Sequence, residues 1–328
     1  MTSIAVVVGD GIGQEVIPVA QDVLSLLHPE YEFYPVEIGY GKWKKTGVAC
    51  TPDDIVLLRD ADAIIFGAVT TPPAADYRSV VLEIRKELDL YANLRPIKGD
   101  GVDIMIVREN TEGLYSGIEW QEDDRASTLR VITRKGSERI ARAACRIARE
   151  RGNHLTIGNK ANVIKSDAFF RDICIKTAEE EGVPYTTAFI DALTLDVLMH
   201  PERYDVIVTT NIFGDILSDA AAYLVGGLGM LPSANIGDSH ALFEPVHGSA
   251  PDIAGKGIAN PVAAIRSAAM LLSHLGDIPG ATLIEEAIRL TAEAGITTPD
   301  TGGKATTKEA GAAVIDALLR ITEDSKHR

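Results

Sequence analysis

Aliphatic runs closed by glycine alternate along this chain with stretches of helical spacing. Ile4 to Val8 is a continuous apolar run ending in Gly9-Asp10-Gly11-Ile12-Gly13. That pattern predicts a strand buried on both faces, a tight turn, and a helix over Glu15 to Leu27. Ala61 to Phe66 predicts a second buried strand closing at Gly67, Val102 to Val107 a third, and Tyr204 to Thr209 a fourth. Between them Ile140, Ala144, Ile147 and Ala148 follow helical spacing, with Ser137 as the expected N-cap. Ala263 to Leu275 is apolar almost all round and predicts a buried helix, and Ala312 to Ile321 a terminal one. Strands alternating with helices predict an α/β fold with a largely parallel sheet. The stretch from Gly117 to Thr133 breaks the pattern: Thr128 to Thr133 has β-character after the polar run Gln121 to Arg125. It predicts a hairpin that leaves the main body and reaches a partner subunit.

Composition narrows the function classes. The chain has 328 residues, 46% hydrophobic and 24% charged, which predicts two globular domains. No apolar run has the length a membrane span needs, and Met1-Thr2-Ser3 leads straight into a β-type run with no signal-peptide pattern. Cys50, Cys145 and Cys174 are widely spaced and read as packing residues of a cytoplasmic protein. The net charge of −15 repels nucleic acid and anionic membranes. It also repels an acidic substrate, so a site for one needs its own cations. Arg85, Arg95 and Arg108 fall at element ends and supply such a cluster for a dicarboxylate.

The early glycine turn lacks a dinucleotide-binding fingerprint, because Gln14 stands where a third small residue belongs. In the segment Asn211 to Asp219, Asp215 and Asp219 are one helical turn apart. Two such carboxylates are either hard-oxygen ligands with Mg2+ or Mn2+ between them, or acids near a helix N-terminus. Asp191, after the run Thr186 to Ile190, is either a third ligand or a solvent-exposed acid. Tyr115 and Lys160 are candidate acid–base groups. The run from His247 to Pro261 holds too much glycine for a helix and is either a structural loop or a close-approach surface for a flat polar ligand.

Five segments together resemble the β-decarboxylating dehydrogenases, the isopropylmalate, isocitrate and homoisocitrate enzymes. They are Leu90 to Pro96, Arg108 to Tyr115, Lys160 to Val163, the Asp215/Asp219 segment, and Phe243 to Pro261; the similarity runs from Gly9 to about Gly303. The resemblance implies two α/β domains around a shared sheet that is not a Rossmann fold. The first domain would be 1–95 plus 235–328, and the second, dimer-forming domain 96–234, with 117–133 as an intersubunit arm. A homodimer or higher homo-oligomer would share active sites, Lys160 and Asp191 coming from the partner.

The resemblance also implies the chemistry. Asp191, Asp215 and Asp219 would hold Mg2+ or Mn2+ on the 2-hydroxy acid, and Arg85, Arg95 and Arg108 would fix its carboxylates. Lys160 would take the hydroxyl proton, and Tyr115 would protonate the enol carbon after loss of carbon dioxide. His247, Gly248, Ser249, Ala250, Asp252, Ile253 and Asn260 would bind the cofactor. The Asp252 carboxylate would repel a 2′-phosphate, which favours NAD over NADP. Ser79, Val81 and Leu82 would meet the substituent on substrate C3. The apolar pair points to 3-isopropylmalate and the leucine pathway, while Arg78 keeps homoisocitrate, with isocitrate, as the alternative. Non-catalytic regulatory relatives lose metal aspartates or the lysine; all are present here.

Overall fold

The computed structural model describes residues 1–73, 77 and 79–326. Arg78 therefore lies outside the described residues. Two compact units divide the chain: Met1–Leu88 with Gly226–Ala234 and Ser239–Arg328, and Asp89–Val225 with Asn235–Asp238.

The first unit contains β1 (Ser3–Val7), β2 (Glu32–Pro35), β3 (Ala63–Phe66) and β12 (Ala241–Pro245), with β11 (Pro232–Ile236) starting in it. Strand order is β2-β1-β3-β12, parallel at each of these pairings. Its helices are α1 (Gly13–Leu27), α2 (Tyr40–Thr46), α3 (Pro52–Asp60), α4 (Val80–Glu87), α9 (Val262–His274), α10 (Ile278–Glu293) and α11 (Thr307–Lys326). As its sequence predicts, α9 buries residues all round, from Ala263 and Ile265 to Ala269 and Leu272.

The second unit contains β4 (Ala92–Gly99), β5 (Val102–Glu109), β8 (Leu155–Asn159), β9 (Tyr185–Phe189) and β10 (Val206–Thr209), in the order β4-β5-β10-β8-β9. All neighbours are parallel except β4 and β5, which run antiparallel. Its helices are α5 (Arg134–Arg149), α6 (Lys165–Glu180), α7 (Ile190–Met199) and α8 (Asn211–Ala221). All four residues of β10 are buried, as expected of a parallel strand covered on both faces. Val206 and Val208 pack with Leu155, Ile157, Phe170 and the α5 stripe of Ile140, Ala144 and Ala148. Each large side chain so buried is worth about 1.5–3 kcal/mol. Among the described residues no helix is long and apolar enough to cross a membrane.

Two local expectations change. Helix α5 is capped by Thr133, whose side chain accepts the Gly136 N–H. Ser137 lies inside the helix, buried, with its hydroxyl donating to the Thr133 carbonyl. The hairpin exists as β6 (Glu119–Gln121) paired antiparallel with β7 (Ala126–Thr128), and its second strand is earlier than the β-character of residues 128–133 suggests. Val131 instead makes an isolated bridge to Gly113, and Arg130 turns inward to polar partners.

Candidate active site

In the second unit, β4, β5 and α8 bring five of the predicted site residues together. Helix α8 starts immediately after β10 and aligns Asp215 and Asp219 along one side. Arg108, near the end of β5, is almost completely buried and lies against α8 at Gly214. A Cβ at Gly214 would stand 2.7 Å from the Arg108 Cγ, so only glycine leaves room for that approach. The Arg108 Nε donates to the Asn211 carbonyl at 2.7 Å and Nη1 to Asp215 Oδ1 at 2.7 Å.

Arg95 shares a face of β4 with Asn93, two residues away. Its Nε donates to Asn93 Oδ1 at 2.8 Å and its Nη1 to the Ser218 hydroxyl at 2.6 Å. The same guanidinium spans both acids, at 3.0 Å from Asp215 and 3.2 Å from Asp219. The Tyr115 hydroxyl donates to Asp215 Oδ2 at 3.2 Å, and the Arg108 guanidinium lies 5.6 Å from the centre of its ring.

The charge between Asp215 and Asp219 in this structure is a guanidinium, and two arginines read as substrate clamps are paired to the acids read as metal ligands. The reason is proximity in an acidic chain: the nearest counter-charges to α8 are the two arginines on the adjoining strands.

The acids nonetheless fit a hard dication. Side-chain exposure is 33% for Asp215 and 51% for Asp219, so oxygens remain accessible. Burial pushes the Asp219 carboxyl up, Arg95 pulls it down, and the Asp215 charge raises it again. An added positive charge relieves that strain, and Mg2+ is commonly held by one or two carboxylates with substrate and water completing its shell. Asp191 does not join them within one chain: among the described residues no three His, Cys, Asp or Glu side chains converge. It sits in the first turn of α7, where its Oδ1 accepts from the Lys160 Nζ at 2.7 Å, and that contact lowers its carboxyl.

In the first unit, Arg85 is buried near the end of α4 and its Nη2 donates to Glu244 of β12 at 3.0 Å. Its Nε is buried without a hydrogen-bond partner among the described residues. Ser79 is the N-cap residue of α4, and Val81 and Leu82 are half-buried in its first turn.

The glycine-rich run from His247 to Pro261 is held by the early turn. The Ile12 N–H donates to the Ser249 carbonyl at 2.9 Å, and a Cβ at Gly11 would stand 2.0 Å from that same oxygen. The Asp10 carboxylate ties the turn down by accepting from Tyr40, Gly41 and Thr70 N–H groups. Thr70 donates its hydroxyl to the Ser249 hydroxyl at 2.7 Å. The Gly9 to Gly13 turn thus builds the later loop's seat, consistent with its lacking the fingerprint.

That loop has features of a ligand surface. The His247 Nε2 is buried with no partner among the described residues, and burial holds its imidazole in the neutral form. Gly248 and Asp252 are exposed, Ile253 is half-buried, and Ala250 carries φ +41, a conformation L-residues rarely adopt. Asn260 is buried, its amide donating to Asp300 Oδ2 at 3.1 Å and its oxygen accepting from the Val262 N–H. An unpartnered histidine nitrogen, exposed glycine backbone and an exposed carboxylate leave this loop with hydrogen-bonding positions that a polar ligand such as a dinucleotide can use.

Sequence reasoning missed the residues that hold these groups: Glu244 for Arg85, Asn93 and Ser218 for Arg95, and Asn211 for Arg108. All four lie inside the quoted motifs, so the signal was present without a geometry to interpret it.

Comparison with known proteins gives the family. The isocitrate/isopropylmalate dehydrogenase family profile matches residues 3–314. The chain is 45% identical over 326 residues to an isocitrate/homoisocitrate dehydrogenase of Pyrococcus horikoshii, covering 98% of this chain and 94% of that one. It is 47% identical over 325 residues to a 3-isopropylmalate/3-methylmalate dehydrogenase of Methanocaldococcus jannaschii, covering 94% and 96%. A crystal structure of isocitrate dehydrogenase from Methylococcus capsulatus superposes with a TM-score of 0.93 at 39% identity, covering 97% of this chain and 99% of that one. The chain belongs to the isocitrate/isopropylmalate dehydrogenase family and is, by that membership, a decarboxylating dehydrogenase.

Proposed function

We propose that the chain oxidatively decarboxylates 3-isopropylmalate to 4-methyl-2-oxopentanoate, the step that furnishes the leucine carbon skeleton, using NAD and Mg2+ or Mn2+. The observation that carries the substrate is the half-buried pair Val81 and Leu82, four and three residues before the buried Arg85 on one helix. An isopropyl group packed against that pair gains about 2 kcal/mol at about 0.8 kcal/mol per carbon. A carboxylate in the same place loses several kcal/mol unless a cation pairs it.

NAD supplies the hydride acceptor, and the dication supplies a Lewis acid for the 2-hydroxyl and for charge that later develops on its oxygen. The chain's own residues do the rest. Arg95 and Arg108 exchange aspartate oxygens for substrate carboxylates as positive charge arrives at Asp215 and Asp219. Arg85 holds the malate core. Lys160, in its neutral amine form, accepts the 2-hydroxyl proton at Nζ, and Tyr115 delivers a proton to C3 once carbon dioxide has left. The Asp252 carboxylate receives the ribose hydroxyls and repels a 2′-phosphate. In this reading the protein is a homodimer in which Lys160 and Asp191 serve the partner's site, since within one chain Asp191 stays with Lys160.

Homoisocitrate is the second reading. Arg78 is the cation that would pair a longer acidic arm, and the Pyrococcus horikoshii relative carries isocitrate and homoisocitrate in its name. NADH formation and carbon dioxide release from 3-isopropylmalate, measured after chelation and again with Mg2+ restored, test the reaction. Equal release of both in the presence of metal and none after chelation is expected; full activity after exhaustive chelation overturns the metal-dependent reading.

A further inference from the structure

The predicted arm ends in an arginine whose partners all lie next to catalytic segments. Arg130 follows β7 and turns into the second unit. Its Nη2 donates to Asp167 Oδ1 at 2.6 Å and to the Thr210 hydroxyl at 2.9 Å, and its Nη1 donates to Ser166 at 3.0 Å. The guanidinium lies 5.2 Å from the centre of the Phe213 ring. Asp167, in the first turn of α6, has no solvent exposure. Its second oxygen accepts the main-chain N–H of Lys160 at 2.9 Å.

The main chain of Lys160 is held on its other side as well. Its carbonyl accepts from the Val163 and Ile164 N–H groups at 3.1 and 2.9 Å. The buried Asn159 side chain accepts the Ala161 N–H and donates to the Ile157 and Ala188 carbonyls. A neutral acceptor would suffice to receive the Lys160 N–H. A fully buried carboxylate instead carries a desolvation cost of several kcal/mol unless it is paired, and a buried pair is weak evidence of stability for its own sake. The charge on Asp167 answers to Arg130. Arg130 in turn touches Thr210, the N-cap residue of the helix that carries Asp215 and Asp219.

We propose that Arg130 and Asp167 are positioning residues: the buried pair fixes the Lys160 main chain, so that placement of the base, which in the proposed dimer serves the partner's site, depends on the seating of the arm segment. This rests on the reading of Lys160 as the base. Loss of the pair lets the Lys160 segment drift by a fraction of an ångström to an ångström, which slows the oxidation step and leaves substrate binding nearly intact.

The test uses the full chain with NAD, Mg2+ and 3-isopropylmalate carrying either protium or deuterium at C2, with kcat counted per NADH-binding site. Asp167→Asn keeps the shape and an acceptor for the Lys160 N–H, Arg130→Gln removes the charge from the arm side, and Arg130→Lys restores it. Asp167→Asn and Arg130→Gln are expected to lower kcat by on the order of tenfold to a hundredfold, with KM within about twofold and a larger deuterium isotope effect. Arg130→Lys should recover part of the loss. An unchanged kcat per site, or a loss of kcat without a larger isotope effect, overturns the proposal, as does damage seen only as a lower Tm and fewer NADH sites. If Asp167→Asn fails to fold, the Arg130 pair of variants still decides. Lys160→Met is measured alongside. If it is active, the assignment of the base fails; if it is inactive while the Arg130 and Asp167 variants are normal, the positioning proposal alone fails.

Discussion

The two candidate regions, one in each unit, satisfy their polar groups in opposite ways. Around α8, the charges are already matched: Arg95 bridges Asp215 and Asp219, Arg108 holds Asp215, and Tyr115 donates to the same carboxylate. Around the 247–261 loop, valences are left unmet: His247 keeps a buried nitrogen without a partner among the described residues, Ala250 sits at positive φ, and Asp252 faces solvent. On the function proposed above, the α8 region exchanges partners to admit an anionic substrate and a cation, whereas the loop offers open hydrogen-bonding positions before a ligand arrives. On that reading charge neutralisation governs one region and preorganisation the other.

The largest effect is expected from removing the assigned acid–base groups. Lys160→Met should abolish hydride transfer, whereas Tyr115→Phe should still oxidise the alcohol and then release product slowly or with poor handling of the enol. Following NADH appearance and carbon dioxide release separately distinguishes the two. Normal turnover by Lys160→Met contradicts the assigned base.

Asp215→Asn should also lose turnover, and the structure adds a stability cost. Removing that charge leaves the buried Arg108 with its Asn211 carbonyl but without its ion-pair partner. Unfolding should show a loss of about 1–3 kcal/mol, discounted from a fully buried pair because Asp215 is one-third exposed. An unchanged Tm would show that Arg108 finds full compensation elsewhere.

In the glycine-rich loop, Asp252→Ala should narrow the preference for NAD over NADP by about tenfold, equivalent to about 1.4 kcal/mol. The ratio of kcat/KM for the two cofactors reads this, and an unchanged ratio removes Asp252 from cofactor choice. The smallest effect concerns His247. Burial depresses its imidazole in the folded chain below the ordinary 6.5, so the unfolded chain takes up the proton first as pH falls. Stability should be unaffected well above that pH and decline below it. His247→Gln should flatten this part of the stability–pH curve; an identical slope would assign the decline to other groups.

Legibility in the sequence followed the range of the interactions. Ile4 to Val8, Tyr204 to Thr209 and the apolar helix near Ala263 are continuous local patterns, and each appears as an element within two residues of its predicted start. Strand β4 carries Pro96 and two charged residues, Arg95 and Lys98, and is paired antiparallel with β5 from Ala92 to Gly99. Its neighbour and not its own periodicity makes it a strand. Asp215 and Asp219 were legible because four residues on a helix fix their relation. Most partners of Arg95 and Arg108 were not, since the contacts to Ser218, Asn211 and Asp215 span more than a hundred residues of chain. Arg130 and Asp167 carry no motif at all, and Arg78 lies outside the described residues.

The central claim is that an apolar wall on α4 chooses the substrate, and steady-state kcat/KM for 3-isopropylmalate, homoisocitrate and isocitrate with NAD and Mg2+ tests it most directly. The account predicts 3-isopropylmalate first, with Val81→Asn moving preference toward isocitrate and Arg78→Glu moving it further toward 3-isopropylmalate. An unmodified protein that turns over homoisocitrate or isocitrate at least about tenfold more efficiently, a difference of about 1.4 kcal/mol, would contradict it and make Arg78 the residue that dictates specificity.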